Sequence, residues 1–135
     1  MTHSELMAKA VRARRGAYAP YSRFAVGAAL LCRDGSVYTG CNIENAAYTP
    51  TVCAERVAFF KAVSDGHRDF AAIAISGGPM GAPGTQTAPC GVCRQVMMEF
   101  CTPDFEIVLG TEDDCRAYTL SELLPLGFGP ENLKP

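Results

Sequence analysis

Apolar and polar positions change their period several times along the chain, and each change predicts an element. Leu6, Met7, Ala10 and Val11 recur at helical spacing after Thr2-His3-Ser4-Glu5, whose Thr-x-x-Glu order is that of a capping box. Gly16 and Pro20 end that helix. From Phe24 to Arg33 the run is apolar on both faces, as in a strand of a sheet covered on both sides. Asp34-Gly35 is a two-residue hairpin signal, so Ser36 to Ile43 is expected to return antiparallel. Pro50-Thr51 precedes a helical stretch from Val52 to Asp65, stopped by Gly66 where a left-handed cap is wanted. Phe70 to Ile75 is an uninterrupted apolar strand. Gly77 to Ala88 is a Gly/Pro-rich loop of a length that marks functional sites. A helix from Gly91 to Phe100 and a buried strand from Phe105 to Leu109 follow. A second capping box, Thr119-Leu120-Ser121-Glu122, opens a short helix broken at Pro125. The order helix, hairpin, helix, strand, helix, strand, helix predicts one sheet with helices on both faces. No repeat or linker divides residues 1–135, so a single domain is expected.

Composition narrows what such a domain does. At 135 residues with 48% hydrophobic side chains, it buries roughly 68% of the surface its unfolded chain exposes. Twelve Lys+Arg against 14 Asp+Glu leave a net charge of -2 and no block of like charge. A partner rich in phosphates requires a basic face, so nucleic acid is not the expected partner. The longest apolar run, Phe24 to Cys32, is too short to span a bilayer. The polar first residues lack the apolar stretch of a signal peptide. No membrane partner is expected, and the expected location is the cytoplasm.

Seven cysteines, an odd number, argue for reduced thiols rather than a disulfide framework. Reduced thiols either serve as small apolar residues or do metal or redox chemistry. Two segments stand at predicted helix starts, Cys53-Ala54-Glu55 and Pro89-Cys90-Gly91-Val92-Cys93. The sulfurs of Cys90 and Cys93 point the same way in a first turn, where the unpaired N–H groups and the helix dipole favour thiolates. If the two helix starts face each other, Cys53 is a third thiolate. Three ligands and an open position describe a catalytic zinc. Glu55 would then collect and deliver the proton of zinc-activated water. Residues two apart on a helix diverge, so Cys53 must sit at its very edge to share a site with Glu55. Arg56 would hydrogen-bond the sulfurs and offset their excess negative charge. Two other readings fit the spacing. One is a structural zinc with a fourth ligand among Cys32, Cys41, Cys101 and Cys115, and the other is a redox Cys-x-x-Cys. The latter leaves Cys53 and Glu55 without a role. His3 and His67, in the N-terminal tail and beyond a helix stop, are not expected to be ligands.

The two segments match the three-cysteine form of the zinc deaminase signature, and the chain as a whole resembles the small homotetrameric cytidine deaminases. The resemblance runs through Ala19-Pro20-Tyr21-Ser22-Arg23-Phe24, Gly40-Cys41-Asn42-Ile43-Glu44-Asn45-Ala46, Cys53-Ala54-Glu55-Arg56, Pro89-Cys90-Gly91-Val92-Cys93-Arg94-Gln95-Val96 and Leu123-Leu124-Pro125…Phe128-Gly129-Pro130. It implies a three-layer α/β/α fold around a mixed central sheet of about five strands. It implies one Zn²⁺ per chain on Cys53, Cys90 and Cys93, with Glu55 catalytic. The implied reaction is hydrolysis of cytidine or 2′-deoxycytidine to the uridine nucleoside and ammonia, in pyrimidine salvage. Phe24 matches an aromatic residue that packs on the base, and the Ala54 N–H would hold the pyrimidine carbonyl. Asn42 and Glu44 match residues that hold the sugar hydroxyls, and a Glu at the 3′-OH prefers a free nucleoside to a 3′-phosphorylated one. Tyr48 and Phe128 match residues that reach the site from neighbouring subunits of a homotetramer. Read without the resemblance, Phe24 is a core strand residue, Phe128 a C-terminal plug, and Asn42 and Glu44 are loop caps. Ala88 departs from the family pattern, where Ser often precedes Pro-Cys-Gly.

Overall fold

The first turn of the chain forms as its side chains dictate. Thr2 Oγ1 accepts from the Glu5 N–H at 3.1 Å and a Glu5 carboxylate oxygen accepts from the Thr2 N–H at 3.2 Å, which starts helix α1 (His3–Ala13). In this computed structural model, which describes residues 1–135, α1 leads through a 3₁₀ turn at Arg14–Gly16 into β1 (Phe24–Cys32) and β2 (Val37–Cys41). Then come α2 (Ala54–Ser64), β3 (Phe70–Pro79), α3 (Gly91–Phe100), β4 (Glu106–Gly110), β5 (Cys115–Thr119) and the single turn α4 (Leu120–Leu123).

The strands form one mixed sheet in the order β2-β1-β3-β4-β5. Only the β3–β4 pair is parallel, joined by the crossover through α3. On one face Leu6, Met7 and Ala10 of α1 pack on Ala29, Ala72, Ala74 and Val108. On the other, Ala54, Ala58, Phe59 and Ala62 of α2 and Met97 of α3 pack on Ala28, Leu30, Ile73, Ile75 and Ile107. Phe59 lies against Phe70, Phe105 and Phe100, with ring centroids 5.2, 6.1 and 6.4 Å away. The two-faced apolar runs of β1 and β3 are explained by this sandwich, since alternate side chains enter opposite layers.

Two strand glycines set how closely the layers approach. A Cβ on Gly27 would lie 2.1 Å from the Ala10 carbonyl oxygen of α1, and one on Gly40 would lie 2.4 Å from the Ala54 carbonyl oxygen of α2. The second contact seats the first turn of α2 directly on β2.

Three local expectations are corrected. Asp34-Gly35 does turn the hairpin, but only Gly35 has positive φ (95°). The Gly35 N–H donates to the Cys32 carbonyl and the Cys32 N–H to the Ser36 carbonyl, so the loop has three residues, a turn closed by a left-handed glycine. β3 continues to Pro79, four residues past Ile75, because Ser76-Gly77-Gly78 pairs with Gly27, Val26 and Ala25 of β1. The remaining loop is short and clamped, with Arg14 donating to the carbonyls of Ala25, Pro79 and Ala82 at 2.7 to 2.9 Å. β5 was absent from the element order read off the sequence. It is an exposed edge strand, so no apolar alternation marks it. Gly66 behaves as expected (φ 96°). Its N–H donates to Val63 and that of His67 to Ala62, the paired bonds of a Schellman cap on α2.

Candidate active site

Cys53 and Cys90 both lie just outside the helices they introduce. Each has extended backbone (φ -76°, ψ 155° and φ -68°, ψ 168°) as the N-cap of α2 and α3. A side chain at this position escapes the helical spiral, so Cys53 and Glu55 reach one site despite being two residues apart. The Cys90 sulfur accepts from the Cys93 N–H at 3.5 Å, as an N-cap oxygen would. The sulfurs of Cys53 and Cys90 are 3.6 Å apart, and all three sulfurs lie within 4.8 Å of one another. Two sulfurs on a tetrahedral zinc with bonds of about 2.3 Å lie about 3.8 Å apart, so this donor set fits that ion.

The electrostatics suit the same use. Facing Cys93, Arg56 and Cys90 hold the Cys53 thiol down to about 5. That pairing with Cys53 and burial among acidic neighbours push Cys93 up. A divalent cation held by all three sulfurs would favour their ionised forms. Arg56 Nη2 donates to the Cys53 sulfur at 3.5 Å. Glu55 is 4% exposed, and burial pushes its carboxyl up to about 7, with the nearby Cys53 adding to the rise and Arg56 opposing it. A carboxyl that titrates near neutrality can both accept and return a proton.

A cleft of about 330 Å³ opens onto these groups, within the range of small-molecule sites. Its wall carries Phe24, Asn42, Glu44, Cys53, Ala54, Glu55 and Cys90, so most of the residues singled out from the sequence meet there. The meeting depends on a two-way bridge in which Ile43 and Val52 exchange N–H and carbonyl bonds at 3.0 Å. That bridge fastens the end of the hairpin to the segment entering α2. Cys93 completes the sulfur set from below the surface, 1% exposed.

Asn42 and Glu44 also serve the backbone. Asn42 Oδ1 accepts from the Val26 N–H and Nδ2 donates to the Phe24 carbonyl, each at 2.8 Å, extending the sheet where β2 leaves it. One Glu44 carboxylate oxygen accepts from the N–H groups of Tyr21 and Ser22 at 2.9 and 3.1 Å, and the other from the Ser22 hydroxyl. The loop-cap reading of both residues is therefore correct as far as it goes, and both still face the cleft. Tyr48 and Phe128 do not line it. They are 73% and 56% exposed, with Tyr48 edge-on to Tyr21.

Sequence reasoning gave no role to Ser22, Thr87 or Arg94. Ser22 and Thr87 line the cleft, with Thr87 tied to the Gly77 carbonyl at 3.0 Å. Arg94 Nε donates to the Pro89 carbonyl at 2.8 Å and Nη1 to the Leu123 carbonyl, which steadies the residue before Cys90 against the C-terminal segment. Only the position of Arg94 next to Cys93 hinted at this.

Comparison with known proteins agrees with this geometry. Residues 1–109 match the family model described as the cytidine and deoxycytidylate deaminase zinc-binding region. The chain is 49% identical over 134 residues to a cytidine deaminase of Sporosarcina psychrophila, covering 98% of this chain and 96% of that one. It is 51% identical over 134 residues to one of Halalkalibacterium halodurans, covering 98% of each. A crystal structure of cytidine deaminase from Burkholderia pseudomallei superimposes with a TM-score of 0.86 at 49% identity, over 95% of this chain and 100% of that one.

Proposed function

Because the chain belongs to the cytidine and deoxycytidylate deaminase family, we propose that it hydrolyses cytidine and 2′-deoxycytidine to uridine and 2′-deoxyuridine, releasing ammonia. The observation that carries this reading is the buried Glu55 beside three converging sulfurs, at the floor of a cleft with Phe24 on its wall. Cys53, Cys90 and Cys93 would hold one zinc ion per chain, whose chemistry is to make water a nucleophile at neutral pH.

The residues of the chain do the rest. Glu55 takes the proton that the attacking water gives up and passes it to N3 of the ring. It then carries the second proton to the departing amino group, so that water and nucleoside balance against uracil nucleoside and ammonia. The Ala54 N–H, free at a helix start, holds the pyrimidine carbonyl, and Phe24 packs on the base. Asn42 and Glu44 take the sugar hydroxyls with the donor and acceptor capacity their backbone bonds leave over. The carboxylate of Glu44 disfavours a phosphate at the 3′ position, which selects free nucleosides over polynucleotides. Arg56 offsets the net negative charge of three thiolates on a divalent ion.

The exposure of Tyr48 and Phe128 outside their own cleft supports a homotetramer in which neighbouring subunits complete each site. None of the helices is long and apolar enough to cross a membrane; the setting we propose is pyrimidine salvage in the cytoplasm.

The test is an ultraviolet assay with cytidine, 2′-deoxycytidine and cytidine 5′-monophosphate, alongside metal analysis. Loss of cytosine absorbance with both nucleosides but not the monophosphate, at about one zinc per chain, is the expected result. Zinc without turnover of any of them would overturn the substrate assignment.

A further inference from the structure

A second group of donor atoms lies away from the cleft, where the β1–β2 hairpin meets the cap of α2. Cys32 Sγ, a carboxylate oxygen of Asp34 and a ring nitrogen of His67 all fall within 4.8 Å of one another. Cys32 is the last residue of β1 and is 1% exposed. Asp34 and His67 are partly open, with side chains 59% and 24% exposed, so an ion could reach the group from solvent.

The hydrogen bonds around His67 orient its ring toward the other two donors. The Tyr38 hydroxyl donates its single proton to the Asp65 carboxylate. The phenol oxygen therefore faces His67 Nδ1, 3.1 Å away, as an acceptor, and Nδ1 donates to it. Nε2 is thereby the ring nitrogen turned to Asp34, 3.1 Å from Oδ2, where the two pair directly when the ring is protonated. A divalent cation in place of the Nε2 proton would be held by both, with the Cys32 sulfur, within 4.8 Å of each, as a third donor. Neither neighbouring guanidinium competes for these atoms. Arg33 is turned to Asp69 at 3.1 Å, and Arg68 to the carbonyls of Val63 and His67.

We propose that Cys32, Asp34 and His67 form a second metal site, distinct from the one at the helix starts, which takes a divalent ion of the zinc class. Nitrogen and oxygen donors on a tetrahedral ion with bonds of about 2.0 Å lie about 3.3 Å apart, close to the separation of Nε2 and Oδ2. One thiolate, one imidazole and one carboxylate together select zinc over magnesium or calcium. Tyr38, itself held by Asp65, is the outer partner that fixes the imidazole tautomer, as ligating histidines require. Binding releases to solvent the Cys32 thiol proton and any proton on His67 Nε2. The hairpin turn is thereby joined to the Schellman cap of α2, the helix that begins at Cys53.

The test counts ions on the intact protein after dialysis against buffered zinc. Wild type is expected to carry one ion more per chain than either Asp34→Asn or His67→Gln, with the far-ultraviolet circular dichroism of all three alike. Asn at position 34 keeps the oxygen that caps the Ser36 N–H, so folding is not at issue there. Cobalt loaded into the metal-stripped protein in place of zinc is expected to give a stronger sulfur-to-metal charge-transfer band in wild type than in Cys32→Ser. Equal ion counts in wild type and both variants would overturn the site, as would cobalt bands of equal intensity in wild type and Cys32→Ser. The comparison is a difference of one ion, so it reads the same whether or not the helix-start site behaves as proposed above.

Discussion

Arg56 donates one Nη2 hydrogen bond to the Cys53 sulfur at 3.5 Å, while its Nε, buried, has no partner. A half-engaged guanidinium against a thiolate cluster is a charge held in place chiefly for its field. In the proposed zinc site, removing it would leave three thiolates with a single divalent ion and a net charge of -1. Arg56→Gln is therefore expected to lower zinc retention or turnover by about 10- to 100-fold, the usual cost of losing an outer-shell partner. Arg56→Lys, which restores charge without the fork, should recover part of that loss. Competition with a chelator and steady-state kinetics measure the two effects, and unchanged values for Arg56→Gln would remove its role.

The proposed role of Glu55 can be separated from metal binding. Its carboxyl is the buried group next to the sulfurs yet is not one of them, so Glu55→Gln should keep zinc and fold while losing turnover by at least about 10²-fold. Normal turnover with zinc retained would exclude the proton-carrier role.

Much of this site could be read before any geometry. The capping boxes at Thr2 and Thr119, the stop at Gly66 and the sulfur set Cys53, Cys90 and Cys93 are local or spaced signals, and each forms as its sequence implies. What escaped notice depends on tertiary partners. Cys115-Arg116-Ala117-Tyr118-Thr119 becomes a strand only because β4 offers an edge to pair with. Ser76-Gly77-Gly78 reads as loop until β1 supplies its ladder. The double duty of Asn42 and Glu44, toward backbone and cleft, follows from the Ile43–Val52 bridge, which no periodicity announces. His67, set aside as a ligand when read alone, gains a different meaning once Tyr38, Asp65 and Asp34 surround it.

The glycine contacts predict a contrast. Gly40→Ala would drive a methyl to within 2.4 Å of the Ala54 carbonyl oxygen and 2.7 Å of the Ala58 nitrogen, and Gly27→Ala to within 2.1 Å of the Ala10 carbonyl oxygen and 2.4 Å of the Arg14 nitrogen. Both are backbone clashes and should each cost about 1–3 kcal/mol or more. Only the first displaces the turn that carries Cys53 and Glu55. Thermal melts should show both variants destabilised, whereas turnover per folded molecule should fall more in Gly40→Ala. Equal turnover in the two would mean that the Gly40 contact does not position the site.

Glu44 gives a pH dependence whose sign is fixed. The Ser22 hydroxyl and the N–H groups of Ser22 and Tyr21 hold its carboxyl below the usual value of 4.5. A lowered folded value contributes stability above the unfolded value and loses it as the pH falls through the folded one. The Tyr21–Ser22 loop should therefore be tethered near neutrality and loosen in acid. Amide exchange at Tyr21 and Ser22, compared between wild type and Glu44→Ala, should differ at neutral pH and converge well below pH 4.5. A difference that persists unchanged into strong acid would show that the tether is not ionic.

The exposure of Tyr48 and Phe128 makes the subunit question answerable without a structure of the assembly. If Phe128 serves only its own chain, a Phe128→Ala subunit and a Glu55→Gln subunit are each deficient, and mixing them adds nothing. If Phe128 completes a neighbour's cleft, a mixed assembly contains sites in which Glu55 comes from the Phe128→Ala chain and the aromatic ring from the Glu55→Gln chain. Such sites are whole. Co-refolding the two variants should then recover turnover above the sum of the separate preparations, by an amount that follows the fraction of mixed assemblies. Phe128 is 56% exposed and its principal tie is a backbone one, the Gln95 side chain donating to its carbonyl at 2.8 Å. Its truncation should thus leave the chain's own stability nearly unchanged, as surface substitutions do, within about 0.5 kcal/mol. Recovery without loss of stability assigns the ring to the neighbour. A large drop in stability with no recovery would return Phe128 to the role of a plug for its own chain.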